Sequence, residues 1–186
     1  MKFLKIKWLL CCILLISCKQ KVQKQTANTP PIQKVEVIEL KTQLNPKSDS
    51  KVYGDATFVQ EGNWVQMDAY IQGLSPGTHA IHLHEKADCS SPVGKSTGGH
   101  WNPTFEPHGK WGSPEGFHRG DIGNFEADST GLGHVVFKTD LWCIGCEDDT
   151  KNIVGKAIIV HQGADDFVSQ PSGAAGARIS CAGIIE

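Results

Sequence analysis

The sequence predicts an all-β fold, an antiparallel sandwich or barrel of eight short strands, and three observations predict it. From residue 34 onward, short alternating or apolar runs are separated by turn residues. Twenty glycines in a chain of 186 residues argue for many turns, and no long stretch carries apolar residues at helical spacing. Two connections, 86–120 and 162–177, are rich in Gly with Pro and Ser or Ala and Asp. They are too long for hairpins, and irregular loops of that length in a compact domain are usually functional or disordered.

The strands follow in order. "KVEVIELK" (34–41) alternates and reads as the first. "KVYGDATFVQ" (51–60) and "NWVQMDAYIQ" (63–72) are the second and third, with a tight hairpin expected at Glu61–Gly62. "SPG" (75–77) turns the chain into a fourth strand over 78–85. Runs at 121–127, 132–138, 154–161 and 178–185 complete the set.

The first 33 residues read differently. "MKFLKIK" is a basic lead and "WLLCCILLI" an apolar core too short to span a bilayer comfortably. The following "LISC" resembles a bacterial lipobox, which makes 1–17 a lipoprotein signal peptide and Cys18 the lipidated mature N-terminus. An ordinary cleaved signal peptide and an uncleaved anchor are the alternatives on the same residues. Loss of Lys2, Lys5 and Lys7 leaves fifteen basic against twenty acidic residues, a net charge of −5. Residues 18–33 are polar, hold two prolines and read as a flexible tether. Its lysines, Lys19, Lys21 and Lys24, would sit near lipid head groups. The globular domain is then 34–186, in the bacterial cell envelope (periplasm or cell surface) and membrane-attached through its lipid. With a formal charge of −2 and no basic stripe with interleaved aromatics, nucleic acid is excluded as a partner.

Export makes the cysteines informative. Cys11, Cys12 and Cys18 belong to the leader, which leaves Cys89, Cys143, Cys146 and Cys181. Four cysteines allow three pairings, and spacing alone does not choose among them.

"HAIHLHE" (79–85) carries the first chemical signal. Alternation along a strand puts His82 and His84 on one face, with Cα atoms roughly 6.5–7 Å apart, a span two imidazoles can close around one metal ion. His79 points to the other side with Ile81 and Leu83 and reads as a packed, hydrogen-bonded core residue. Further donors lie in the first long loop: His100 in "GGHWNP", His108 in "EPHGK", and His118 and Asp121 in "HRGDIGN". His161 ends the strand of "AIIVHQGADD". His134, in "GLGHVVF", reads as an ordinary strand residue.

Taken together, "HAIHLHE", "GGHWNP", "HRGDIGN", "VHQGADD" and "GAAGARISC" resemble the successive signatures of the bacterial copper/zinc superoxide dismutase family, in the family's order over about residues 36–186. The resemblance implies an eight-stranded Greek-key barrel with one copper and one zinc per subunit, acting on the superoxide anion. It implies copper held by His82, His84, His100 and His161, and zinc held by His100, His108, His118 and Asp121. These donor types suit the two metals, tetragonal imidazoles for Cu(II) and a tetrahedral nitrogen and carboxylate set for zinc. His100 would bridge the two as a doubly deprotonated ring and, with Arg178, is the catalytic residue the resemblance implies. Arg178 matches the arginine at the mouth, Asp165 the aspartate joining a copper histidine to a zinc histidine, and Cys89–Cys181 the intrasubunit disulfide. Asp166 reads as a solvated loop acid. A homodimer is one of the oligomeric states the resemblance admits.

Two features depart from the family pattern. "WCIGC" places Cys143 and Cys146 in a C-x-x-C, open to three readings: a local loop disulfide, a redox-active motif, or a copper-acquisition or partner site. Ala174 stands where many relatives have asparagine, which leaves long-range steering to other cations, with Lys95 and Lys110 as candidates. A metal-binding module that kept the fold for buffering or delivery, without catalysis, is the alternative to an enzyme. Asp165, Arg178 and the bridge are needed only for the enzyme.

Overall fold

The computed structural model describes residues 36–186. The signal peptide, Cys18 and the tether lie outside the described residues. The elements are β1 (Val37–Pro46), β2 (Tyr53–Glu61), β3 (Trp64–Gln72), β4 (Gly77–His84), β5 (Gly123–Ala127), β6 (Gly133–Thr139), β7 (Ala157–His161) and β8 (Arg178–Gly183), with one 3-10 turn at Lys95–Thr97. They close into an antiparallel barrel in the order β1-β2-β3-β6-β5-β4-β7-β8. The β3–β6 and β4–β7 neighbours are the crossovers that make it a Greek key.

The barrel forms because alternate residues of most strands are apolar and turn inward. Phe58, Met67, Ile71, Ile81, Leu83, Ile158 and Val160 are all fully buried in one core. Burying each such side chain contributes about 1.5–3 kcal/mol. Trp142, from the connection after β6, closes one end by packing on Phe58 and Phe137. On β7 every residue is buried. That explains why "AIIVH" reads as a continuous apolar run: Ile158 and Val160 face the core, while Ala157 and Ile159 face outward beneath the long loops with Cys181 and Cys89.

Every strand's bounds differ from the sequence reading by one to five residues at one end or both, and four of the differences have a clear cause. β1 begins later and runs on to Pro46, because Leu44 still pairs with Gly54 and Asn45 and Pro46 turn to pair with Cys181 and Ser180 of β8. The β2–β3 turn is centred on Gly62 and Asn63, since Glu61 pairs directly with Trp64. β5 starts after Asp121, which is held in a turn by its N–H bond to the His118 carbonyl. β7 starts at Ala157, because Ile153–Lys156 closes a turn through the Lys156 N–H and the Ile153 carbonyl.

Candidate metal centre

Alternation on β4 does what the sequence expects. Ile81 and Leu83 enter the core, and His82 and His84 take the outer face, yet both are buried because the loops roof them. His161 ends β7 on the same outer face as Ile159, which pairs with His82. The first long loop is laced to the end of β4. The Leu83 carbonyl accepts from Trp101 N–H, Leu83 N–H donates to the Gly120 carbonyl, and Gly120 N–H donates to the Trp101 carbonyl. A Cβ at Gly120 would stand 2.2 Å from the Leu83 oxygen, so only glycine allows this approach. The lacing delivers His100 on one side and His118 and Asp121 on the other.

Two groups of donors result. One ligand atom from each of His82, His84, His100 and His161 lies within 4.8 Å of the others, and the same holds for His100, His108, His118 and Asp121. The ring orientations are set from outside. His84 Nδ1 donates to the Gly98 carbonyl (3.1 Å) and His161 Nδ1 to the Gly176 carbonyl (3.3 Å). His82 Nε2 pairs with Asp165 Oδ2 at 2.8 Å. The opposite nitrogens, His82 Nδ1, His84 Nε2, His161 Nε2 and His100 Nε2, are buried with no hydrogen-bond partner. An isolated buried acceptor costs about 1–3 kcal/mol. Four lone pairs converging on one point are the donor set of a soft or borderline cation, and they fit copper.

The second group is built around a carboxylate. His100 Nδ1, His108 Nδ1 and His118 Nδ1 stand 2.8, 3.0 and 3.2 Å from the Asp121 oxygens. Four ligands at about 2.0–2.1 Å from a tetrahedral zinc would be roughly 3.3 Å apart, so this spacing fits zinc. The N–H groups of His118 (2.8 Å) and Gly109 (3.2 Å) both donate to Asp121 Oδ2 and fix the carboxylate. Asp165 joins the groups: Oδ2 takes His82, and Oδ1 takes His108 Nε2 at 3.0 Å. Such outer contacts orient metal-binding rings and raise their basicity.

The electrostatics follow the packing. Burial, helped by His100, holds His84 well below the usual imidazole range, and burial helped by His82 does the same for His161. Burial also lowers His100 to about 4, against the opposing pull of Asp121. These rings are therefore neutral and ready to ligate. Burial disfavours the charged form of Asp121 and Asp165 too, but hydrogen bonds from the surrounding histidines win and hold both carboxyls well below their ordinary range.

Arg178 begins β8 beside this cluster, half-buried, and its Nη1 donates to the Gly94 carbonyl (2.9 Å) and Thr97 Oγ1 (3.0 Å). It lines an open hollow of about 340 Å³ with Lys95, Gly176 and Ala177. Lys110 does not line it. The Cys89–Cys181 disulfide, with Cα atoms 5.9 Å apart, ties the first long loop to β8. Cys143 and Cys146 form a local disulfide, the first of the three readings of that motif. His79 is buried between the carbonyls of His161 and Ser75, as expected for a core residue. His134 is an exposed strand residue paired with Asp68 and stacked on Tyr70. Asp166 is exposed and caps the backbone at Val168 and Ser169.

Sequence reading missed the residues that act on backbone. The Asn124 amide clamps Asp165, accepting from its N–H (2.7 Å) and donating to its carbonyl (2.8 Å). Gln170 does the same to His108. Only position beside a ligand motif, as Asn124 ends "HRGDIGN", could have hinted at either.

Comparison with known proteins agrees with this geometry. A family model described as copper/zinc superoxide dismutase (SODC) matches residues 52–184. Superoxide dismutase [Cu-Zn] 2 of Aquifex aeolicus is 34% identical over 139 residues, 72% of this chain and 80% of that protein. The extracellular superoxide dismutase [Cu-Zn] of Haemonchus contortus is 34% identical over 71% of this chain and 73% of its own length. The crystal structure of a double mutant of a SOD-like protein from Bacillus subtilis superimposes with a TM-score of 0.69 at 32% identity, covering 78% of this chain and 97% of that one. The barrel, the two donor groups that fit one copper and one zinc per subunit, and the matched length lead to one statement: the chain belongs to the copper/zinc superoxide dismutase family.

Proposed function

We propose that this chain is an active superoxide dismutase, converting two superoxide anions and two protons to dioxygen and hydrogen peroxide. His82, His84, His100 and His161 would hold copper, and His100, His108, His118 and Asp121 would hold zinc. The observation that carries the reading is His100, one buried ring whose Nε2 belongs to the first group and whose Nδ1 belongs to the second. Copper, when bound, supplies the electron exchange by alternating between Cu(II) and Cu(I), and zinc is structural.

The chain's own residues do the rest. The Arg178 guanidinium, held by Gly94 and Thr97 at the rim of the hollow, attracts and docks the anion through charge-assisted hydrogen bonds. His100 Nε2 is the atom at which a proton is held and from which it is given to the departing peroxide. His100 Nδ1, beside Asp121, is the zinc-side nitrogen, and zinc held there would keep the ring oriented throughout. Asp165 and the carbonyls of Gly98 and Gly176 fix the remaining rings, so little reorganisation accompanies each turnover.

A non-enzymatic metal-binding protein on the same fold is the second reading. It has no use for Arg178 at the mouth or for a ring shared by both donor groups. The leader motif supports an enzyme of the cell envelope attached through Cys18, and the extracellular relative from Haemonchus contortus is in keeping with export.

Purified protein loaded with copper and zinc should bind one of each and consume superoxide, with activity lost on copper removal and regained on its return. His161→Ala should lose copper and activity while keeping the barrel. Stoichiometric copper without superoxide consumption favours the non-enzymatic reading, and full activity in His161→Ala contradicts the ligand assignment.

A further inference from the structure

Loop 162–177 reaches across to the zinc-side loop at His108, where Asp165 meets the ring and an amide meets the backbone. Gln170 Oε1 accepts from the His108 backbone N–H at 2.9 Å, and its Nε2 donates to the His108 carbonyl at 2.9 Å and to the Val168 carbonyl at 3.3 Å. One side chain thus takes both polar groups of the His108 peptide, which has no backbone partner among the described residues. The loop is closed on itself by bonds from Gly173 N–H to the Ser169 carbonyl (2.7 Å) and from Asp166 N–H to the Gly173 carbonyl (2.9 Å). It crosses so tightly over the Asp165–His108 pair that a Cβ at Gly173 would stand 1.8 Å from Asp165 Oδ1 and 2.7 Å from His108 Nε2. At its start the loop is anchored to β5 by the Asn124 amide on Asp165.

We propose that Gln170 is a positioning residue for the zinc site, fixing the His108 peptide to the loop that also carries Asp165. His108 is then gripped at the ring by Asp165 and at the backbone by Gln170, both from loop 162–177. Withdrawal of the His108 ring from zinc needs both grips to loosen. Gln170 acts on retention of zinc and leaves copper alone, because His82, His84, His100 and His161 are fixed by other contacts. The inference rests on the assignment of His108 to zinc.

Gln170 is exposed, so replacing it leaves no cavity in the core. The full-length protein loaded with both metals, and its Gln170→Ala and Gln170→Glu variants, would be mixed with excess chelator and the release of zinc and copper followed in the same samples. Loss of an outer contact to a metal ligand typically weakens retention by about tenfold or more. Zinc should therefore leave Gln170→Ala about tenfold faster, with copper release within about twofold of the parent. Gln170→Glu fills the same space but sets a carboxylate oxygen against the His108 carbonyl, so it should release zinc at least as fast as Gln170→Ala. Parental zinc release in Gln170→Glu, or equal acceleration of both metals, overturns the proposal. A parent protein that takes up no zinc overturns the ligand assignment beneath it, a result seen before any variant is made.

Discussion

Stripping both metals should leave a protein whose stability peaks near pH 6.5 and falls on either side. Two rings of the cluster are displaced in opposite directions. Burial, only partly offset by Asp121, holds His100 down to about 4. Burial works against the charged form of His108 as well, but the hydrogen bonds and charges of Asp121 and Asp165 outweigh it and push that ring up to about 9. In the unfolded chain both titrate near about 6.5. Below that pH the unfolded chain takes up a proton that folded His100 refuses, so stability is lost as pH falls toward about 4. Above it folded His108 keeps a proton that the unfolded chain has released. Its contribution is complete below about pH 6.5 and is lost as pH rises through about 9. At about 1.4 kcal/mol per tenfold change in proton affinity, each arm amounts to about 3 kcal/mol. His84 and His161, also held low, steepen the acid arm. With metals bound, the lone pairs are occupied and both arms should flatten. Urea unfolding of the metal-free and loaded proteins, followed by tryptophan fluorescence from about pH 5 to pH 9, measures the profile. A metal-free stability that climbs steadily through pH 8, or stays level within about 1 kcal/mol, refutes the opposed placement of His100 and His108.

Arg178→Gln should slow superoxide consumption by at least about tenfold and flatten its dependence on ionic strength, with both metals still bound; unchanged rates would mean that another cation guides the anion. Replacing Cys89 and Cys181 together by serine opens a cross-link between residues 92 positions apart, which chain entropy values at about 4–5 kcal/mol. Denaturant unfolding should find most of that, and a loss under about 1 kcal/mol would show that the loop is held chiefly by its other contacts. Mass spectrometry of the mature N-terminus should find acyl groups on Cys18, and an unmodified or earlier terminus excludes the lipid anchor.

The barrel was legible because its strands are short and patterned, and turn residues punctuate them. His82 and His84 were legible for the same reason, since alternation alone puts both on one face. His100, His108, His118 and Asp121 were not, because nothing in the spacing of an irregular loop says which residues meet. Only resemblance to a family grouped them, and the lacing of Leu83, Trp101 and Gly120 shows what brings them together physically. Contacts made by backbone left no trace at all. The carbonyls of Gly98 and Gly176 orient two rings, and any residue has a carbonyl. Gln170 and Asn124 grip peptide groups, and amides on loops usually face water. The end of β1 was misjudged because pairing with β8 carries the strand through Asn45 to Pro46, and that pairing is set by a strand far along the chain.

The division between inner and outer faces has a further consequence. On β4 and β7 the core residues Ile81, Leu83 and Ile158, which pack with Phe58 and Met67, lie on the opposite side of the strand from the imidazoles. Metal binding therefore draws on the outer faces of β4 and β7 and on the loops that roof them, and spares the core. Without metals, the roof leaves the facing nitrogens of six histidines unsatisfied or crowded around one carboxylate, while the core keeps every contact. The cost of lost metal falls on the outer faces of β4 and β7 and on the segments 86–120 and 162–177 that cover them. These are the same segments that shape the hollow at Arg178 through Val93, Lys95, Gly176 and Ala177. Access to the metal centre and the cover over its ligands thus depend on one set of loops, and the Cys89–Cys181 bond fastens the first of them to β8, the strand that Arg178 begins.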